Sequence, residues 1–309
     1  TNVRTYGRDK ERVKRMTAAY VEAVQSCGMA ACAKHFPGDG VDYRDQHLHP
    51  TVNSLSAKDW YDSYGAIYQN LIEHDLLSVM VGHIMQPAVS MDVNPALKPE
   101  DCLPGSLSRE LLTGVLRKRF GFNGVITTDA TIMGGFCMAM ARRDAIPAAI
   151  MAGNDMLVFN TDFAEDYGYM QAALADGRLT AARLDEAVTR VLALKAKVCF
   201  APECTTSIDA AAWHREAAQQ AVTLVKQLDA AMLPMTPARY PEIRLITLGK
   251  DDIPDGSVKA IAAEWLTAHG FRVTHDDPYA DDLHGTAKLP ADRLTLYLAN
   301  YEQASNQTV

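Results

Sequence analysis

Four short apolar runs recur through the first half of the chain, at residues 29–36, 76–81, 125–128 and 156–159. About 30 to 47 residues separate one from the next, room for a helix each time and far too long for a hairpin turn. Runs that are apolar throughout, rather than alternating, read as strands buried on both faces of a parallel sheet. The intervening stretches have helical spacing: Val13, Met16, Ala19, Tyr20 and Val24, then Trp60, Tyr64, Ile67, Tyr68, Leu71 and Ile72, then Leu111, Leu112, Val115, Leu116 and Phe120. Strand and helix in strict alternation require right-handed crossovers, which leaves a (β/α)₈ barrel or a doubly wound sheet. A full barrel takes about 250 residues and only about 200 carry the rhythm. The barrel reading therefore places its first strands upstream of Thr1.

Helices are predicted over 9–25, 106–120, 134–152, 162–176 and 180–198, with Pro147 as a kink, and Ser56 to Asp59 reads as a capping box. Residues 84–105, with Pro87, Pro95, Pro99 and Pro104, read as one long loop. The pattern breaks at 201–208, a linker between a partial barrel (1–200) and a second α/β unit (209–309) that reads as the start of an α/β sandwich domain. That unit has no G-x-G-x-x-G or P-loop spacing, so it offers no nucleotide site and no cofactor is expected. The chain begins at Thr1 rather than Met and ends just after an apolar run. It reads as part of a longer protein, with apolar sheet edges left exposed.

Composition removes several classes. A net charge of −8 with no basic, aromatic-interleaved run argues against nucleic acid. No stretch of 18 apolar residues runs free of charge, so nothing reads as a membrane span. The six cysteines, Cys27, Cys32, Cys102, Cys137, Cys199 and Cys204, form no Cys-x-x-Cys. They read as core thiols, which favours a reducing, cytoplasmic setting.

The chemistry gathers where the runs end. Asp129 ends the third, where a barrel or open sheet holds its reactive groups; the plainer alternative is a cap on the following helix. The first run breaks at Pro37-Gly38-Asp39-Gly40 into a turn holding Asp42, Arg44, Asp45, His47 and His49. Asp45 stands two residues from His47, close enough to take one imidazole nitrogen and leave the other to handle a proton. An extended 45–49 would instead align Asp45, His47 and His49 as metal ligands, a reading set aside in favour of no metal. Lys34 and His35 at the end of the first run, and Arg4 near the start, are cations that face either an ion-pair partner or a ligand. His83, at the end of the second run, reads equally as a core histidine.

These segments together resemble glycoside hydrolase family 3, in its bacterial β-N-acetylhexosaminidase branch. The likeness is carried by Lys34-His-Phe-Pro-Gly-Asp-Gly40 with Asp45-Gln-His47, by residues 116–129 ending in Val-Ile-Thr-Thr-Asp129, and by Asn2-Val-Arg-Thr-Tyr-Gly7. It covers residues 1 to 200. The resemblance implies a TIM-type barrel with Asp129 as nucleophile, His47 as acid/base, Asp45 as its partner, and Arg4, Lys34 and His35 holding sugar hydroxyls or the N-acetyl group. It further implies a retaining exo-β-N-acetylhexosaminidase acting on an N-acetylglucosamine-containing oligosaccharide or muropeptide. The alternatives are a phosphorylase or β-glucosidase of the same family, or an inactive sugar-binding fragment. The sequence departs from the family where Asp39 stands for a common His and Gln46 for a common Ser. A substrate-binding aspartate that the family draws from an early strand has no counterpart here.

Overall fold

The computed structural model describes residues 5–199, 209–249, 252–253, 256–275 and 293–300. The expected linker and Arg4 lie outside these residues. The chain divides into two compact units between Thr206 and Ser207.

The first unit holds strands β1 (Cys32–Phe36), β2 (Thr51–Val52), β3 (Ser78–Val81), β4 (Ile84–Met85), β5 (Val125–Ala130) and β6 (Met156–Val158). Its helices are α1 (Lys10–Ser26), α2 (Ala57–Trp60), α3 (Ala66–Glu73), α4 (Pro87–Val93), α5 (Gly134–Cys137), α6 (Arg142–Ala152), α7 (Phe163–Asp176) and α8 (Ala181–Cys199). A π-turn over Tyr61–Gly65 joins α2 to α3, and a wider π-type helix covers Glu110–Arg119. Side-chain caps start several of them: Asp9 accepts from the Arg12 amide, Ser56 from Asp59 and Asp162 from Glu165.

The four main strands pair in parallel in the order β1-β3-β5-β6. Each neighbours the next in chain order, whereas a doubly wound sheet reverses order about a central strand. Four consecutive staves in unbroken order are those of a TIM-type barrel, so the chain carries part of one. The helices pack on one face: Val21, Trp60, Tyr68, Leu71, Leu111, Leu112, Val115 and Leu116 form one core with Phe36, Val79, Val81 and Ile126. At the N-terminal ends of the strands Asp155, just before β6, is fully buried against Arg117 and Arg183 at 2.6 and 2.8 Å, with Arg190 at 3.6 Å. It also accepts the Ile126 amide at 2.9 Å and so fixes where β5 begins. A buried charge needs such partners, and this end of the sheet is structural.

Four expectations change. The first strand starts at Cys32, not Met29, and lies at one edge of the four-stranded sheet, half exposed instead of buried. Cys27 caps α1, Cys32 opens the edge strand and Cys137 ends α5, and all three are exposed; of the described free thiols only Cys102 is buried. The 84–105 loop contains β4, α4 and two 3₁₀ turns, because Pro87 starts a helix instead of preventing one. The single helix expected over 134–152 is two, broken at residues 138–141, while Pro147 sits inside α6.

The second unit contains helices α9 (Ala210–Ala221) and α10 (Val258–Ala268). Its strands are β7 (Glu242–Gly249), β8 (Asp252–Ile253), β9 (Gly256–Ser257), β10 (Arg272–His275) and β11 (Arg293–Asn300). Three of them form a parallel sheet in the order β10-β7-β11, with Ile243, Leu266 and Phe271 buried between sheet and α10. Strand β10 has no counterpart in the sequence reading; its four residues are too few for a periodicity to show.

Candidate active site

The ends of three parallel strands bring His35, His83 and Asp129 together. Asp129 is the next-to-last residue of β5, half-buried, with Oδ1 accepting the Ala130 amide at 2.8 Å. Its Oδ2 lies 3.3 Å from His35 Nε2 on β1. The helix that follows, α5, starts after Met133 with no side-chain cap, so Asp129 is not a helix cap.

His83 braces this corner. It is fully buried, and its Nε2–H donates to the Ala130 carbonyl at 3.0 Å. Nδ1 is then the acceptor for the Ser106 hydroxyl at 2.8 Å. Burial pushes its pKa down to about 4, against the opposing pull of the Ala130 carbonyl and the Asp129 charge. A neutral histidine with both nitrogens engaged is a core histidine.

The turn after β1 supplies the other half of the site. Residues 45–49 coil instead of extending, with the Leu48 and His49 amides donating to the Asp45 carbonyl at 3.0 and 3.3 Å. Asp45 Oδ1 takes the His47 amide at 2.9 Å and faces His47 Nδ1 at 2.7 Å. One carboxylate oxygen thus fixes both the backbone and the ring of His47, which is the pairing expected from their spacing. Asp42 closes the base of the turn by accepting the Val52 amide at 2.8 Å, and Arg44 holds its carboxyl far below the usual range.

The turn is docked onto the segment that follows Asp129. Gly134 and Gly135 donate to the His47 and Gln46 carbonyls at 2.7 and 3.0 Å. A Cβ on Gly134 would lie 2.1 Å from the Leu48 carbonyl oxygen, and one on Gly135 2.7 Å from His83 Cβ. Only two glycines let the backbones approach this closely. Gln46, buried beneath the turn, accepts the His83 amide at 2.8 Å and reaches Asp39 Oδ2 at 3.5 Å. Asp39 in turn stands 3.5 Å from His35 Nδ1. Burial pushes the Asp39 carboxyl up, but the contact with His35 and its charge outweigh that, leaving it below its ordinary value.

Of the residues singled out from sequence, Asp45 and His47 form one pair and His35 and Asp129 another. Lys34 is exposed on β1 and makes no ion pair among the described residues. His49 turns to the Pro50 carbonyl at 3.2 Å, and among the described residues no three His, Cys, Asp or Glu side chains converge as metal ligands. No described helix is long and apolar enough to cross a membrane. Sequence reasoning missed Gly134, Gly135 and the central place of Gln46. The signal for the first two was a Gly-Gly pair five residues past a strand-terminal aspartate; for Gln46 it was an uncharged amide between Asp45 and His47.

The model of the glycosyl hydrolase family 3 N-terminal domain matches residues 1–194. A beta-N-acetylglucosaminidase/beta-glucosidase of Cellulomonas fimi is 43% identical over 100% of this chain, which spans 58% of that relative. A beta-hexosaminidase of Chromobacterium violaceum is 34% identical over 56% of this chain and 45% of its own length. The solved beta-glucoside phosphorylase BglX is 40% identical with a TM-score of 0.87, over 99% of this chain and 58% of that one. A family 3 beta-N-acetylglucosaminidase from Paenibacillus shares the fold at 24% identity, with a TM-score of 0.72 over 89% of this chain and 53% of that one. The chain thus spans a little over half the length of the relatives it matches end to end.

Proposed function

Because the chain belongs to glycosyl hydrolase family 3, we propose that it carries the catalytic part of a retaining glycosidase that removes terminal β-linked N-acetylglucosamine. The observation that supports this most is the joining of two halves. A carboxylate at a barrel strand end and a carboxylate-oriented histidine are held together by the Gly134–His47 and Gly135–Gln46 backbone bonds. A retaining glycosidase needs a carboxylate nucleophile on one face of the sugar and a proton donor near the leaving oxygen. Asp129 Oδ attacks the anomeric carbon while His47 gives its proton to the glycosidic oxygen, and the bond to the aglycone breaks. His47, now the base, takes a proton from water as that water displaces Asp129. Asp45 holds the ring and stabilises its charged form in the first half of the cycle. Lys34 and Arg4 hold the sugar hydroxyls or the N-acetyl group, while His35, assigned with them by the resemblance, faces Asp129 and Asp39 with its two ring nitrogens. Residues 1–200 serve as the partial barrel and 209–309 as the start of the α/β sandwich domain, with the substrate a glycan or cell-wall fragment ending in N-acetylglucosamine.

A phosphorylase is the second reading, favoured by the 40% identity to a beta-glucoside phosphorylase. The acid/base here is a histidine, neutral once it has given its proton, and a neutral base does not repel a phosphate anion as a second carboxylate would. Turnover of aryl N-acetyl-β-glucosaminide with and without phosphate tests both readings. Free sugar released at a phosphate-independent rate supports the hydrolase. A sugar 1-phosphate, formed at a rate that rises with phosphate, assigns the phosphorylase. A protein that cleaves only the aryl β-glucoside is a glucosidase, and one that binds sugar but cleaves neither is a sugar-binding module; either result overturns the proposal.

A further inference from the structure

His35 lies between two carboxylates, Asp129 at 3.3 Å from Nε2 and Asp39 at 3.5 Å from Nδ1. Its side chain is 11% exposed, less than either acid. Each ring nitrogen thus faces a carboxylate at ion-pair distance, so the ring is held between the two acids. Asp39 is therefore what commits Nδ1 outward, and with it the direction in which Nε2 points at Asp129.

Asp39 is itself fixed on several sides. Its Oδ1 accepts the Gly40 amide at 3.0 Å, its carbonyl accepts the Tyr64 hydroxyl at 2.9 Å, and Gln46 Nε2 approaches Oδ2 at 3.5 Å. Gly38 beside it has φ +129, and a Cβ there would fall 2.1 Å from the Tyr64 ring, so only glycine lets the turn lie this close against Tyr64. Gln46 is in turn seated on the His83 amide. Gln46 and Asp39 thus touch each other, and through Asp39 both lead to His35.

We propose that Asp39 is a positioning residue for the nucleophile: anchored by Gln46, it orients His35, and His35 holds Asp129 in its attacking orientation. The inference rests on the reading of Asp129 as nucleophile and adds to it a residue that touches neither sugar nor reacting atom. It differs in kind from the Asp45–His47 pair, which serves proton transfer. Loss of the Asp39 contact weakens attack, whatever the leaving group; loss of His47 matters most when the leaving group needs a proton.

The test is Asp39→Asn in the full-length protein. Asparagine keeps an acceptor for the Gly40 amide and so spares the turn, while it no longer presents a carboxylate to His35 Nδ1. Rates are measured on aryl N-acetyl-β-glucosaminides of graded leaving-group ability, with inactivation by a 2-fluoro glycosyl fluoride read as its first-order rate and its binding constant. A fall on the order of ten- to a hundred-fold in kcat and in the inactivation rate is expected, uniform across leaving groups, with KM nearly unchanged and no rescue by azide. Asp39→Glu, which restores the charge, should recover part of the loss. A change confined to KM would make Asp39 a sugar ligand. A loss confined to poor leaving groups would make it part of the acid/base loop. An unchanged inactivation rate in a folded variant would remove it from the site; each of these three overturns the inference. Label mapping on the unsubstituted protein keeps the two claims apart: label on a residue other than Asp129 sinks the catalytic assignment itself, whereas label on Asp129 with a silent Asp39→Asn sinks only the positioning role.

Discussion

Gly134→Ala tests how the two halves of the site are held. The residue has ordinary backbone dihedrals, so alanine adds a methyl group and no conformational strain. That methyl would stand 2.1 Å from the Leu48 carbonyl oxygen, 2.5 Å from the Leu48 carbonyl carbon and 3.0 Å from the His47 carbonyl oxygen. Ordinary carbon–oxygen contact is about 3.3 Å, so the turn bearing His47 must retreat by roughly 1 Å. The bond from the Gly134 amide to the His47 carbonyl, 2.7 Å long, stretches or breaks with it. Overpacking of this kind costs about 1–3 kcal/mol of stability, and a displacement near 1 Å at a catalytic group costs about 100-fold in rate. In the proposed mechanism the moving group is the proton donor, so the loss should grow with the pKa of the leaving group. The assay is kcat/KM across an aryl glycoside series, beside thermal melting. Gly168→Ala on α7, where a Cβ meets nothing within 4 Å, is the control and should leave activity intact. If Gly134→Ala melts normally and cleaves poor leaving groups at the unsubstituted rate, the docking of the turn has no catalytic consequence.

Three further outcomes follow from the same geometry. His47→Ala should harm substrates with poor leaving groups far more than activated ones, with azide restoring turnover of the latter, and Asp45→Asn should show a milder version; equal losses everywhere without azide rescue would make His47 structural. Asp155→Ala leaves Arg117, Arg183 and Arg190 facing a vacated, buried position. It should cost about 3–5 kcal/mol, or about 10 °C in melting temperature, while activity at low temperature survives; an unshifted melt would contradict the account of that cluster. His83, held near pKa 4 against an ordinary 6.5, stays neutral in the fold while its unfolded form takes up a proton. The protein should therefore lose stability as pH falls from about 6.5 to about 4, by up to about 3 kcal/mol. His83→Gln, titrated by denaturant unfolding, should flatten that dependence, and an equal slope would assign the loss to other groups.

The barrel staves were legible because each is an apolar run between helical stretches, and β3, β5 and β6 fall within two residues of where that pattern puts them. The start of β1 was not, since Met29 to Ala31 are as apolar as the strand yet lie outside the sheet, with Met29 65% exposed. The fold of 84–105 stayed hidden behind its prolines, whose restriction of φ is equally compatible with a loop and with the first turn of a helix. At the site, Asp45 and His47 were readable as a pair because their contact spans two residues. The contacts of His35 with Asp129, of Gln46 with His83 and of Gly134 with His47 span tens of residues. No local spacing encodes them; they exist because parallel strands deliver their ends to one place.

The central claim is that Asp129 forms the covalent bond to the sugar. Incubating the full-length protein with a 2-fluoro glycosyl fluoride carrying the N-acetylglucosamine configuration, then digesting and mapping the modified peptide by mass, tests it directly. A single glycosylated site is expected at Asp129, within the segment Val125–Ala130, and no label in Asp129→Ala. Label on any other carboxylate, or steady labelling of the Asp129→Ala protein, would contradict it.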